Sequence, residues 1–176
     1  MPETPIQLTL RAPTRADGPG LHALIQRCPP LDVNTVYAYC ILADHFRETC
    51  VLAVGDDDEI HGAVTAYCKP DEPEVLFVWQ VAVDEAARGQ GLAGRMLDHL
   101  LARESARGIT TMQTTVGPGN KASRAVFEKL ARKHDAWIKV SPYLAENVCG
   151  EGHEAEELLH IAVLSTKGVP TNNLQQ

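Results

Sequence analysis

Val81-Ala82-Val83-Asp84-Glu85-Ala86-Ala87-Arg88-Gly89-Gln90-Gly91-Leu92-Ala93-Gly94 decides how the rest of the chain is read. The stretch begins at the end of a nearly unbroken β-branched and aromatic run, Val75 to Val83, which reads as a central strand covered on both faces. Glycines at 89, 91 and 94 then form a turn that opens a helix at about Gly91. Leu92, Met96, Leu97, Leu100 and Leu101 give that helix an apolar stripe. Glycine lets backbone N–H groups come close to a ligand, and the amino end of a helix carries partial positive charge. Together they make a cradle for a pyrophosphate that needs no large basic surface. The spacing is not that of a P-loop, and the turn does not follow the first strand as a dinucleotide fingerprint would.

On the amino-terminal side, Ile6 to Arg11 alternates as an opening strand. Thr14-Arg15-Ala16-Asp17 reads as a capping box before a helix with Leu21, Leu24 and Ile25 on one face, and Cys28-Pro29-Pro30 stops it. A second helix is expected from Val33 to His45, with Val36, Tyr37, Cys40 and Ile41 facing inward. Thr49 to Val54 and Ile60 to Tyr67 form a hairpin about the turn at Gly55 to Asp58. Beyond the glycine turn come a strand, Ile109 to Val116, and a helix after Pro118-Gly119-Asn120 that ends near Lys133 with Val126, Phe127 and Leu130 inward. Trp137 to Val140 and Leu158 to Val163 are the last strands. The order β-α-α-β-β-β-α-β-α-β-β predicts an α/β fold with a mixed sheet and helices on both faces. Residues 1–166 read as a single domain, and the polar residues 167–176 as a flexible tail.

With 176 residues and 44% hydrophobic side chains, the chain can bury one substantial core. Its net charge of −7 argues against a nucleic-acid binder. No apolar run approaches the roughly 20 residues of a membrane span, and Met1 to Arg15 lacks the layout of a secretory signal. A cytoplasmic protein with neither nucleic acid nor membrane as partner is expected. The five cysteines form no C-x-x-C pair, and His153 and His160 stand seven apart, so no metal is expected.

Arg88-x-x-Gly91-x-Ala93, following Val81-Ala82-Val83, resembles the Q/R-x-x-G-x-G/A signature of the GCN5-related N-acetyltransferases. Asn120-Lys121-Ala122-Ser123-Arg124-Ala125-Val126-Phe127-Glu128-Lys129 resembles the family's second signature, and the element order matches from Ile6 to Val163. The resemblance implies a mostly antiparallel sheet of six to seven strands, with the central strands splayed into a V that accepts the pantetheine of acetyl-CoA. It also implies an N–H near Val81 or Ala82 that polarises the thioester. The implied cofactor-binding set is Val81, Ala82, Val83, Arg88, Gly89, Gln90, Gly91, Leu92, Ala93, Gly94, Asn120, Ser123 and Phe127, with Arg88, Lys121 and Arg124 as candidate phosphate partners. Many members use a tyrosine of the second signature as acid toward the thiolate. Phe127 stands there, so the acid is left open, Tyr143 being a weakly placed alternative.

Three segments narrow the resemblance: Leu31-Asp32-Val33-Asn34-Thr35-Val36-Tyr37, the strand Val75 to Val83, and His153-Glu154-Ala155-Glu156-Glu157-Leu158. They resemble the branch of the family that acetylates the 4-amino group of L-2,4-diaminobutyrate in ectoine synthesis. That implies a small diamine as partner, direct attack in a ternary complex, and a homodimer. Asp32, Asn34, Tyr37, Trp79, Gln80, His153 and Glu154 are then the candidate substrate-binding residues, with Tyr37 and Trp79 equally suited to core or pocket. Glu154 and Glu156 are candidate bases, Asp32 a rival, and Val81 the candidate oxyanion donor. Composition alone reads Glu154, Glu156 and Glu157 as a solvated acidic run. Two other readings stay open: acetylation of another small cationic amine, or an acyl-CoA-binding sensor without turnover.

Overall fold

A computed structural model describes residues 7–56, 58–104 and 108–162. The expected start of the first strand at Ile6, Val163 of the last strand and the tail 167–176 lie outside the described residues. The strands are β1 (Thr9–Arg11), β2 (Val51–Val54), β3 (Ile60–Cys68), β4 (Val75–Val83), β5 (Thr111–Val116), β6 (Ile138–Leu144) and β7 (Glu156–Ala162). The helices are α1 (Gly18–Gln26), α2 (Val36–His45), α3 (Leu92–Glu104) and α4 (Lys121–Lys133), in the order the sequence predicts. One seven-stranded sheet runs β1-β2-β3-β4-β5-β7-β6. Among the described residues only the β4–β5 pair is parallel.

α3 and α4 cover one face. The stripe from Leu92 to Leu101 is buried against Val64, Leu76, Val78 and Met112 of the sheet. Each such side chain stabilises the fold by about 1.5–3 kcal/mol relative to exposure. α1 and α2 cover the other face through a second cluster with Leu21, Leu24, Tyr39, Leu42 and Ala63. At the entrance to α1 the Thr14 N–H and hydroxyl donate to Asp17, at 2.6 and 2.9 Å. Arg11 grips the same carboxylate with both terminal guanidinium nitrogens and holds it near pKa 2, mainly through that hydrogen bonding.

α2 departs from its expected register. It starts at Val36, after Thr35, whose Oγ1 accepts from the Ala38 N–H, and it buries Tyr39, Leu42 and Ala43. Val36 and Tyr37 are exposed, Tyr37 by 74%, while Cys40 and Ile41 are half-buried. The helix is apolar around most of its circumference, so periodicity could not select the inner face. The position of α1 and a polar partner for the buried Tyr39 hydroxyl select it instead.

β4 carries the feature that opens the sheet. Thr65 of β3 pairs with Gln80 and Ala66 with Val78, leaving Trp79 as the extra residue of a β-bulge. The parallel pairing of β4 with β5 ends at the same point, at Val78 and Thr114. Beyond it β5 continues only with β7, so the carboxyl halves of β4 and β5 part as a V. β4 is therefore central but not covered on both faces as expected: Trp79 is 41% exposed.

Candidate active site

Two clefts open into the V and share Pro30, Leu31, Val81, Asn120, Ser123 and Phe127. The first, ≈ 490 Å³, lies over the glycine turn between β4, α3 and α4. The second, ≈ 560 Å³, lies beyond Val81, under the loop that leads to β7.

In the first cleft the turn is built from backbone. Gly89 and Gly91 have φ of +75° and +69°, a region open to glycine at little cost, ahead of the first turn of α3. Val81, Ala82, Val83, Arg88, Gly89, Gly91, Leu92, Ala93, Asn120, Ser123 and Phe127 all line this cleft. Gln90 and Gly94 do not; Gln90 turns its amide back toward the Ala86 carbonyl. Of the three basic candidates, Arg88 lines the cleft, its Nε donating to the Val83 carbonyl at 3.1 Å. Lys121 lines neither cleft, and Arg124 is engaged by Glu157 of β7. Cys28, which sequence reasoning missed here, lies 3.5 Å from the Val83 carbonyl, and burial pushes its thiol pKa up.

The main chain at the junction follows from strand alternation. The Gln80 N–H donates to Thr65 Oγ1 and the Asp84 N–H to the His61 carbonyl, both toward β3. Alternate residues of a strand direct their amides to opposite sides, so Val81 and Val83 face the open V. The Val83 carbonyl accordingly receives Cys28 and Arg88 from that side. The Val81 N–H thus points into the gap where the two clefts meet, a donor with no partner strand. A glycine cradle, a V and a free amide at its apex fit a pantetheine thioester with a pyrophosphate at its far end.

The second cleft is lined by side chains. Asp32, Trp79, Gln80, His153, Glu154 and Glu156 all reach it. Asn34 and Tyr37 do not: Asn34 turns its N–H to the Tyr39 hydroxyl, and Tyr37 is neither core nor pocket. Glu156 begins β7 beside Thr115 of β5, and burial raises its pKa above the ordinary glutamate value. The Thr115 hydroxyl and His153 oppose that rise, and the nearby charges of Asp32 and Glu154 add to it. Thr115 carried no signal in the sequence, because its role arises only from β5–β7 register. The Glu154 carboxylate lies against Gly117 and Gly119, where added Cβ atoms would stand 3.1 and 3.3 Å from its Oε2. A half-buried carboxyl with a raised pKa can accept a proton from an ammonium, and the neighbouring carboxylates favour a cationic ligand. Among the described residues no group of three or more His, Cys, Asp or Glu could hold a metal, and no helix is long and apolar enough to cross a membrane.

The acetyltransferase (GNAT) family model matches residues 19–131. The L-2,4-diaminobutyric acid acetyltransferase of Bordetella parapertussis is 44% identical over 161 residues, covering 91% of this chain and 87% of that protein. The protein of the same name from Methylotuvimicrobium alcaliphilum is 51% identical over 132 residues, 74% of this chain and 76% of that one. Among solved structures, the diaminobutyrate acetyltransferase of Paenibacillus lautus, in complex with its substrate L-2,4-diaminobutyric acid and coenzyme A, superposes with a TM-score of 0.85 at 35% identity. It covers 90% of this chain and 96% of that chain. A V-opened sheet, a glycine cradle and an acidic second cleft thus coincide with matches over most of the chain, and the chain belongs to the GNAT acetyltransferase family, among the L-2,4-diaminobutyric acid acetyltransferases.

Proposed function

We propose that the chain transfers the acetyl group of acetyl-CoA to the 4-amino group of L-2,4-diaminobutyrate, giving N4-acetyl-L-2,4-diaminobutyrate for ectoine synthesis. The observation that carries this reading is the meeting of the cleft over the glycine turn and an acidic cleft at Val81 and Phe127. Acetyl-CoA supplies an activated acyl carbon. Gly89, Gly91 and the start of α3 hold its pyrophosphate, and Asn120 and Ser123 flank the arm. The Val81 N–H stands where the carbonyl oxygen gains charge during attack.

Glu156 takes the proton that the 4-ammonium must lose. Asp32, Glu154 and His153 surround the rest of the diamine, and the Trp79 face covers its methylenes. The new C–N bond forms as the C–S bond breaks, in a ternary complex with no acyl-enzyme, and the second proton shed by the nitrogen passes to solvent. Phe127 offers no proton, so the thiol, with a pKa of about 8.5 in models, departs as the thiolate.

Residues 1–166 form one domain in this reading, supported by the single sheet. The protein acts in the cytoplasm, consistent with the free thiols of buried Cys28 and Cys50. It pairs as a homodimer through the late strands, supported by exposed Val140 and Tyr143 on edge strand β6, with Trp137 beside them. A monomer in sedimentation would remove the dimer.

Coenzyme A release should be measured across L-2,4-diaminobutyrate, its one-carbon shorter and longer homologues, lysine and a polyamine, with product position assigned by NMR. Preference for diaminobutyrate with 4-amino acetylation is the expected result. Stronger turnover of another amine would change the substrate. Tight acetyl-CoA binding without turnover on any amine would overturn the enzymatic reading.

A further inference from the structure

Gln80 lies between the bulged Trp79 and the Val81 amide and is 5% exposed. Its polar atoms are taken up inside the protein. Nε2 donates to the Asp32 carbonyl at 2.8 Å, Oε1 accepts from the Tyr39 hydroxyl at 3.3 Å, and the main-chain N–H is held by Thr65 Oγ1. Tyr39, fully buried in α2, accepts in turn from the Asn34 N–H at 3.3 Å. Gln80 and Tyr39 therefore grip both sides of the Asp32–Asn34 loop and fasten it to β4 one residue before the Val81 N–H.

We propose that Tyr39 and Gln80 are positioning residues that set the distance between the Asp32 loop and the Val81 amide, and with it the length of diamine accepted. The inference rests on the acetyl-transfer reading above. It differs from a packing role in what it leaves alone: the glycine turn shares none of these hydrogen bonds, so its hold on the pyrophosphate is independent of them. Each phenol or amide removed strands buried polar partners on the loop side, which lets the loop move.

The experiment compares wild type, Tyr39→Phe, Gln80→Met and the double variant. For Tyr39→Phe the KM for diaminobutyrate should rise about tenfold, the loss of one buried hydrogen-bonded hydroxyl. The KM for acetyl-CoA should change less than about twofold, and preference over the one-carbon longer and shorter homologues should shrink. Because the two residues are hydrogen-bonded to each other, the loss in the double variant should fall short of the sum of the two single losses. An active wild type beside a Tyr39→Phe protein with unchanged diamine KM and homologue preference overturns this inference alone, whatever its Tm. So does an equal rise in both KM values. A wild type idle on diaminobutyrate overturns the functional reading and takes this inference with it.

Discussion

Over the glycine turn the protein presents glycines, apolar side chains and the first turn of α3, whereas beyond Val81 it presents carboxylates. The first half comes from two short stretches, 81–93 and 120–127, joined to the loop at Cys28–Leu31. The second draws Asp32, Trp79, Thr115, Glu154 and Glu156 from segments far apart in the chain. A backbone cradle attracts phosphate with the helix dipole and so works within a chain of net charge −7. An acidic pocket needs charges that repel one another held close, which only tertiary structure can impose. Burial is the main cause of the raised pKa of Glu156, and the nearby charges of Asp32 and Glu154 add to it.

Separate construction implies separate failure. Glu156→Gln should lower kcat by about 10²–10⁴, the usual worth of a general base, with the KM for acetyl-CoA nearly unchanged. Should Glu154→Gln produce that loss instead, the base lies on the carboxylate seated at Gly117, still within the same half. Gly91→Val breaks the other half. Its Cβ would meet nothing within 4 Å, but at φ +69° a β-branched residue is strained. Strain of about 1–3 kcal/mol at the cradle should raise the KM for acetyl-CoA roughly tenfold and leave the diamine KM alone. Gly94→Ala, inside α3 with open space around it, should leave both KM values in place.

The same division governs what could be read from the sequence. The α3 stripe, the Thr14–Asp17 box and the glycine turn are local patterns, and each appears in the structure where its spacing puts it. The V was implied by family resemblance, but its cause, the bulge at Trp79, leaves no mark in a continuous β-branched run. Tyr39 and Tyr37 differ only in which side of an apolar helix meets α1, so periodicity gave the inward-facing role to the wrong one. Arg124 looks like a phosphate ligand until β7 brings Glu157 to it. Glu156 reads as part of a solvated acidic run until Thr115, Asp32 and Glu154 surround it.

Acidity gives a subtler way to separate the halves. Glu156 has a folded pKa above its unfolded value, so its contribution to stability is complete below the unfolded pKa and is lost as pH rises through the folded one. At neutral pH its ionisation destabilises the fold. Glu156→Gln should therefore raise Tm at neutral pH, the reverse of its effect on rate, and the difference should vanish toward pH 4. The acid limb of the wild-type pH–rate profile should sit above the ordinary glutamate pKa and disappear in the variant. A variant less stable than wild type at neutral pH would show that Glu156 is held by partners as a carboxylate, contrary to the direction of its shift.

The smallest change expected in diamine binding is at the seat of Glu154. In Gly117→Ala the new Cβ would stand 3.1 Å from Glu154 Oε2 and 3.8 Å from the Ala155 carbonyl. The first contact is with the end of a flexible side chain, which can give way by a few tenths of an ångström, and the second is ordinary. The turn should survive while the carboxylate shifts, so the diamine KM should rise only about twofold to fivefold, under 1 kcal/mol by the tenfold-per-1.4 kcal/mol rule. Gly119→Ala approaches the same carboxylate at 3.3 Å and should act more weakly still. In the double variant Gly117→Ala/Glu154→Gln, the alanine should have lost most of its effect on the diamine KM, because the charge it displaces is gone. An undiminished effect would mean that the glycine serves the turn rather than the carboxylate, and would detach Glu154 from the acceptor half.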